Sequence, residues 1–247
     1  MSFTDLTIYI VLGAASFINI LVPISGSAVV TPFLAVLADP HTAIGLASFY
    51  FLLSGIIRVP LFRKGIQWHE VKILLPTSLL AAFVGSFSLV AINSTLLLAI
   101  VLAFAIYFFL KRIQFIPPSN NDNASRHTTG LIGLFSGFLQ GAGLAGSDLR
   151  NSYLYGKNLN IAQVHGTSSL IGTSNFLLAT IVRLFTHQLN IPDLIPLLYI
   201  FPFIALGTFV GSKVLYKFNK KTTNVIVAVV MIVIIVFLTK KILINIL

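Results

Sequence analysis

The chain lacks cysteine, has one tryptophan and two methionines, and carries only six acidic residues among its 247. The missing cysteine excludes disulfides, thiolate metal sites and cysteine nucleophiles together. The carboxylates are Asp5, Asp39, Glu70, Asp122, Asp148 and Asp193, and only Asp148 lies near a break in the hydrophobic pattern. No His-Glu-x-x-His, no P-loop and no G-x-S-x-G elbow occurs. No catalytic residue, metal site or cofactor is therefore expected, and any driving force must come from an ion or substrate gradient. Charged residues make up 9% of the chain, against roughly 25% in soluble domains. That deficit excludes a water-facing globule. With 57% hydrophobic residues and a mean hydropathy of +0.97, the sequence reads as an integral membrane protein. Its start, Met1-Ser2-Phe3-Thr4-Asp5, has no basic n-region, and no small-residue cleavage site follows, so no removable signal peptide is expected.

The net charge of +10 does not point to nucleic acid. The basic residues fall in short loops between apolar runs, where the positive-inside rule puts them. Runs of spanning length, roughly 17–25 residues, lie near 42–60, 72–91, 95–112, 162–183, 193–212 and 222–240. Two regions do not fit. Residues 6–37 are interrupted by Pro23-Ile24-Ser25-Gly26-Ser27, and residues 129–156 by Gly141-Ala142-Gly143-Leu144-Ala145-Gly146-Ser147. Glycine and proline there favour a turn over continuous helix, and each remaining piece is too short to cross alone. Each region is read as a re-entrant pair of half-helices.

The two halves repeat one another. Phe83-Val84-Gly85-Ser86 returns as Phe209-Val210-Gly211-Ser212, Ser25-Gly26-Ser27 as Ala145-Gly146-Ser147, and Ala47-Ser48 as Thr167-Ser168. With re-entrant breaks, Arg58, Arg63, Lys64, Lys72, Lys111, Arg112, Arg126, Lys157, Lys213, Lys217, Lys220 and Lys221 fall on one side, and only Arg183, Lys240 and Lys241 on the other. The richer side is cytoplasmic. Each half then crosses an odd number of times, so the halves are inverted relative to each other. The expected fold is an all-α polytopic membrane protein of two inverted repeats, each a re-entrant half-helix pair plus about three transmembrane helices. The first repeat covers 1–112, a polar proline-rich cytoplasmic linker 113–127, and the second repeat 128–247.

Paired breaks in inverted halves meet near the bilayer midplane, where secondary transporters bind substrate. A half-helix starting there offers free N–H groups and a positive dipole end to a small anion. Ser25, Ser27 and Ser147 add hydroxyl donors, while Gly26, Gly143 and Gly146 allow close approach; the competing reading of these glycines is helix packing. Arg150 would complement a bound anion and Asp148 would couple protons, although the first half has only Ala28 and Val30 at the matching positions. Polar stripes containing Ser48 and Ser54, and Thr167, Ser168, Ser174 and Asn175, follow the two breaks as candidate linings. Ser48, Thr167 and Ser168 are taken as substrate contacts. Arg58 is read as snorkelling to the interface, and His165 as a helix-start residue.

The arrangement resembles the sulfite exporter TauE/SafE family of membrane permeases over about residues 10–240. Gly143-Leu144-Ala145-Gly146-Ser147 is close to that family's glycine-rich break, and Gly166-Thr167-Ser168-Ser169-Leu170 is similar to its G-T-S-L-type signature. Gly65-Ile66-Gln67-Trp68 and Pro32 match a turn and a half-helix proline. The first break has lost most of the family's glycines, and Ser147-Asp148 replaces small residues. The resemblance implies a permease or exporter of sulfite, organosulfonates or other small sulfur-containing anions across the bacterial inner membrane. Two alternatives stay open: a permease for a metal cation or neutral solute, and a membrane assembly partner that does not transport. A homo-oligomer also stays open, because a lipid-facing exterior hides any interface.

Overall fold

The computed structural model describes residues 12–20, 26–112, 125–144, 146–214 and 220–246. All regular structure among them is helical. Residues 12–20 form α1, followed by α2 (Gly26–Leu37), α3 (Pro40–Leu61), α4 (Trp68–Ser88), α5 (Ser94–Arg112), α6 (Arg126–Gly141), α7 (Gly146–Gly156), α8 (Ile161–Phe185), α9 (Ile191–Val214) and α10 (Lys220–Ile246). The six apolar runs of the sequence correspond to α3, α4, α5, α8, α9 and α10. Among the described residues, α3, α4, α8 and α9 are long and apolar enough to cross a membrane. α2 and α7 have 12 and 11 residues, about 16–18 Å at 1.5 Å per residue, against a hydrocarbon core of about 30 Å.

Local signals fix where helices begin. Asp39 caps α3, accepting from the amides of His41 and Thr42 ahead of a proline at the first position. Asn160 and Gln163 form a reciprocal capping box at α8. Between α6 and α7 the chain turns through Gly143, whose φ of +70° suits a residue without Cβ.

Close packing relies on small residues. On α6, a Cβ at Gly137 would collide with the Ser78 carbonyl of α4, and one at Gly141 with Ala82. The repeated Phe-Val-Gly-Ser motif faces equivalent partners. Gly85 on α4 lies against the backbone of Phe138 on α6, while Gly211 on α9 lies against Phe17 and Ile20 on α1. α4 thus packs on α6, and α9 on α1. α3 and α8, which carry the two polar stripes, pack together at the centre.

The main core joins Leu34, Ile44, Phe51, Leu97, Phe176, Ile204 and Ile234 from six helices, and a second cluster joins Val71 and Leu74 of α4 to Leu154, Val164 and Ile171. Leu80, Phe135, Phe185 and Leu206 point outward, an apolar exterior suited to lipid. Beyond the end of α7, Lys157 Nζ lies 2.6 Å from Glu70 Oε1 on α4. Partial burial lowers this ammonium, but its contacts with Glu70 and Tyr153 outweigh that and hold it above the ordinary lysine value.

Candidate functional site

The break after α6 creates a polar centre. Gln140 is the penultimate residue of α6, and α7 restarts at Gly146; side chains from both helices reach α8. Arg150, one turn into α7, is fully buried. Its guanidinium donates from Nη1 to Gln140 Oε1 at 2.8 Å, from Nε to Ser168 Oγ at 3.1 Å and from Nη2 to the Ser168 carbonyl at 3.1 Å. Asn175 Nδ2 donates to the same Gln140 oxygen at 2.8 Å, and Ser78 Oγ donates to Asn175 Oδ1 at 3.2 Å.

This centre forms one wall of a cavity of about 40 Å³. That is room for roughly three waters or one small oxyanion. Asn19 of α1 and Arg58 of α3 close the cavity from the first half, and Ser147, Asn151, His165, Ser168 and Gly172 from the second. Two guanidiniums therefore line it, and no carboxylate among the described residues does. Arg58 donates to the Asn19 carbonyl at 3.1 Å, and His165 stacks on Phe62 with ring centroids 4.8 Å apart. Three buried polar atoms of the lining, Arg58 Nε, Gln140 Nε2 and His165 Nε2, have no hydrogen-bond partner within the protein. Such atoms are costly unless a ligand or water completes them.

The residues singled out from the sequence separate into groups. Ser147, Arg150 and Ser168 come together at the cavity. Gly143 and Gly146 stand at the break, but a Cβ on either would strike Ile44 or the Ser136 carbonyl, so both serve close packing. Thr167 turns away to accept from the Gln67 amide at 2.9 Å. Ser48 lies in a separate cluster, accepting from Arg183 Nη1 at 2.5 Å. Gly26 opens α2; Ser25 and the side chain of Ser27 lie outside the described residues. Asp148 is fully buried, acts electrostatically on Arg150, and does not line the cavity.

Sequence reasoning missed Asn19, Gln140, Asn151 and Gly172, it misread Arg58, and it placed His165 at the start of α8 without seeing that it lines the cavity. Arg58 does not reach for the interface; it turns inward onto Asn19. His165 is 2% exposed and lines the cavity. The available signal was one of position: Gln140 is an amide immediately before a glycine-rich break, and Arg58 and His165 sit within a turn or two of the ends of α3 and α8.

A second buried arginine lies elsewhere. Arg183 of α8 donates to Ser48 of α3 and to the Gly141 carbonyl, which also accepts from Ser86. Cations at helix C-termini offset both the unpaired carbonyls and the negative dipole end. Lys241 of α10 does the same for α2, with Nζ 2.8 Å from the Ala35 carbonyl and 2.6 Å from that of Ala38.

Comparison with curated proteins and with solved structures gives no match. The family model for the sulfite exporter TauE/SafE matches residues 8–238, nearly the whole chain. The chain belongs to that family.

Proposed function

We propose that this member of the TauE/SafE family is a secondary transporter of small sulfur-containing anions, such as sulfite or organosulfonates, across the bacterial inner membrane. The anion occupies the cavity between Arg58 and Arg150. One observation carries this reading: two guanidiniums and three unsatisfied buried polar atoms converge on a space of oxyanion size, with no lining carboxylate to oppose them. Asp148 opposes the charge of Arg150 only from outside the cavity; a buried cation is expensive without enough opposing charge, and a bound anion adds it. The same lining disfavours a metal cation as substrate.

The chain is multi-pass, with two inverted repeats. The lengths of α2 and α7 support re-entrant half-helices, since neither reaches across a bilayer. The reciprocal packing of α4 on α6 and of α9 on α1 supports a two-fold relation between the halves. In this reading the Arg150–Ser168 and Arg183–Ser48 clusters lie on opposite sides of the midplane. They open in turn as the halves rock, which gives alternating access. Asp148, buried two positions before Arg150 on α7, carries the coupled proton.

Flux into proteoliposomes tests the function. Radiolabelled sulfite, sulfoacetate, thiosulfate and sulfate are presented with and without a pH gradient. Saturable uptake of at least one sulfur anion is expected, accelerated by the gradient. Flux of none of them overturns the anion reading.

A further inference from the structure

We propose that Gln140 is the specificity-determining donor of the cavity, binding an acceptor oxygen of the transported oxyanion through its Nε2 amide hydrogens. The inference rests on the anion reading of the cavity and adds a direction to its hydrogen bonding. Arginine is a donor only. The atom of Gln140 that meets Arg150 Nη1 at 2.8 Å must therefore be the oxygen. Asn175 must then present its own NH₂ to that oxygen, and it does so at 2.8 Å. Its Oδ1 is left to accept from Ser78, 3.2 Å away on α4. The relay from Ser78 through Asn175, together with Arg150, leaves one orientation for the Gln140 amide, with Nε2 turned away from all three.

That nitrogen is buried and has no partner. It lies beside Gly172, where a Cβ would stand 3.5 Å from Gln140 Nε2 and 3.2 Å from Arg150 Nη2. Two donors, one charged and one neutral, converge on the space that Gly172 leaves open. An oxyanion with at least two accepting oxygens fits that pair. The amide cannot act as an acceptor towards the cavity without opposing Arg150, so a hydroxyl presented to Nε2 gains nothing as a donor.

Equilibrium binding to purified protein in detergent tests this, with sulfite at neutral pH and methanesulfonate from mildly acid to neutral pH. Methanesulfonate keeps one charge throughout that range. Gln140→Met removes the donor, together with the oxygen that Arg150 and Asn175 share, at similar length and unchanged charge, and Kd for both anions is expected to rise by about tenfold to a hundredfold, the effect of a lost hydrogen bond to a charged group; Gln140→Glu, which keeps that oxygen, separates the two losses. Gln140→Glu keeps an oxygen for Arg150 and Asn175 but turns a second oxygen into the cavity. Its methanesulfonate affinity, relative to wild type at each pH, is expected to be weak at neutral pH and to recover as the new carboxyl takes up a proton and becomes a donor. A folding defect does not produce that recovery. Unchanged Kd in Gln140→Met, or a Gln140→Glu deficit that does not depend on pH, overturns the role of Gln140 while leaving the anion reading intact. If wild-type protein binds neither anion, the cavity reading itself fails, and this inference with it.

Discussion

Ser48 and Ser168 stand 120 residues apart (168 − 48), and each accepts a hydrogen bond from a fully buried arginine, Ser48 from Arg183 at 2.5 Å and Ser168 from Arg150 at 3.1 Å. Each hydroxyl thus meets a guanidinium from another helix. The Ser168 cluster borders the cavity.

The two serines are expected to answer differently to alanine. Ser48→Ala takes one of two partners from Arg183 and should cost about 1–3 kcal/mol, the penalty of an unsatisfied buried donor. Ser168→Ala leaves Arg150 bonded to Gln140 and to the Ser168 carbonyl, so stability should change less. KM for the anion should instead rise several-fold as Arg150 loosens. Thermal unfolding in detergent and proteoliposome uptake separate the two effects.

Glycine substitutions on α6 should follow the space beside each Cα. At Gly137 a new Cβ would meet the Ser78 backbone, which has no flexible end to move aside. Gly137→Ala should cost about 1–3 kcal/mol through overpacking. At Gly130 the nearest atom is a Thr77 methyl 3.9 Å away, so Gly130→Ala should be neutral or slightly stabilising through helix propensity. Melting temperatures of the two variants, compared with wild type, check the contrast.

Much of this was legible in the sequence, for identifiable reasons. The break before α7 announced itself through the glycines around Gly143, because turns are local; the caps at Asp39 and at Asn160 with Gln163 are equally local but went unread. Ser147, Arg150 and Ser168 could be found because intramembrane polar residues near a break are rare. Gln140, Asn19 and Gly172 could not. Their importance comes from partners on other helices: Gln140 matters because Arg150 and Asn175 fix its amide, and Gly172 because of the space it leaves. Arg58 and Arg183 sit near helix ends, where snorkelling is the ordinary expectation. Only the tertiary packing shows them turned onto Asn19 and Gly141. Asp39 and Lys241 illustrate the same divide, one capping its own helix and the other a helix some 200 positions away in sequence.

Lys241 should be distinguishable from its neighbour. It holds the C-terminal carbonyls of α2, whereas Lys240 is exposed. Lys241→Ala should destabilise by about 1 kcal/mol through loss of the cap and of its favourable placement at the dipole end. Lys240→Ala should have no measurable effect. Limited proteolysis near residues 35–39 offers a local readout alongside the melting temperature.

Asp148 carries the coupling role in the proposed mechanism. Asp148→Asn is nearly isosteric and removes the titrating group, so uptake should lose its dependence on the pH gradient while exchange of labelled for unlabelled anion continues. Uptake by the variant that follows the gradient as wild type does would remove Asp148 from the coupling pathway.

In the proposed mechanism the anion sits against Arg150 in the cavity shared by α1, α3, α6, α7 and α8. Equilibrium binding of radiolabelled sulfite to purified wild type and Arg150→Gln, with matched elution profiles to establish folding, tests it most directly. Saturable wild-type binding, weakened about tenfold or more in Arg150→Gln through loss of a charge-assisted contact, is the predicted result. Equal affinity in the two folded proteins would contradict the account.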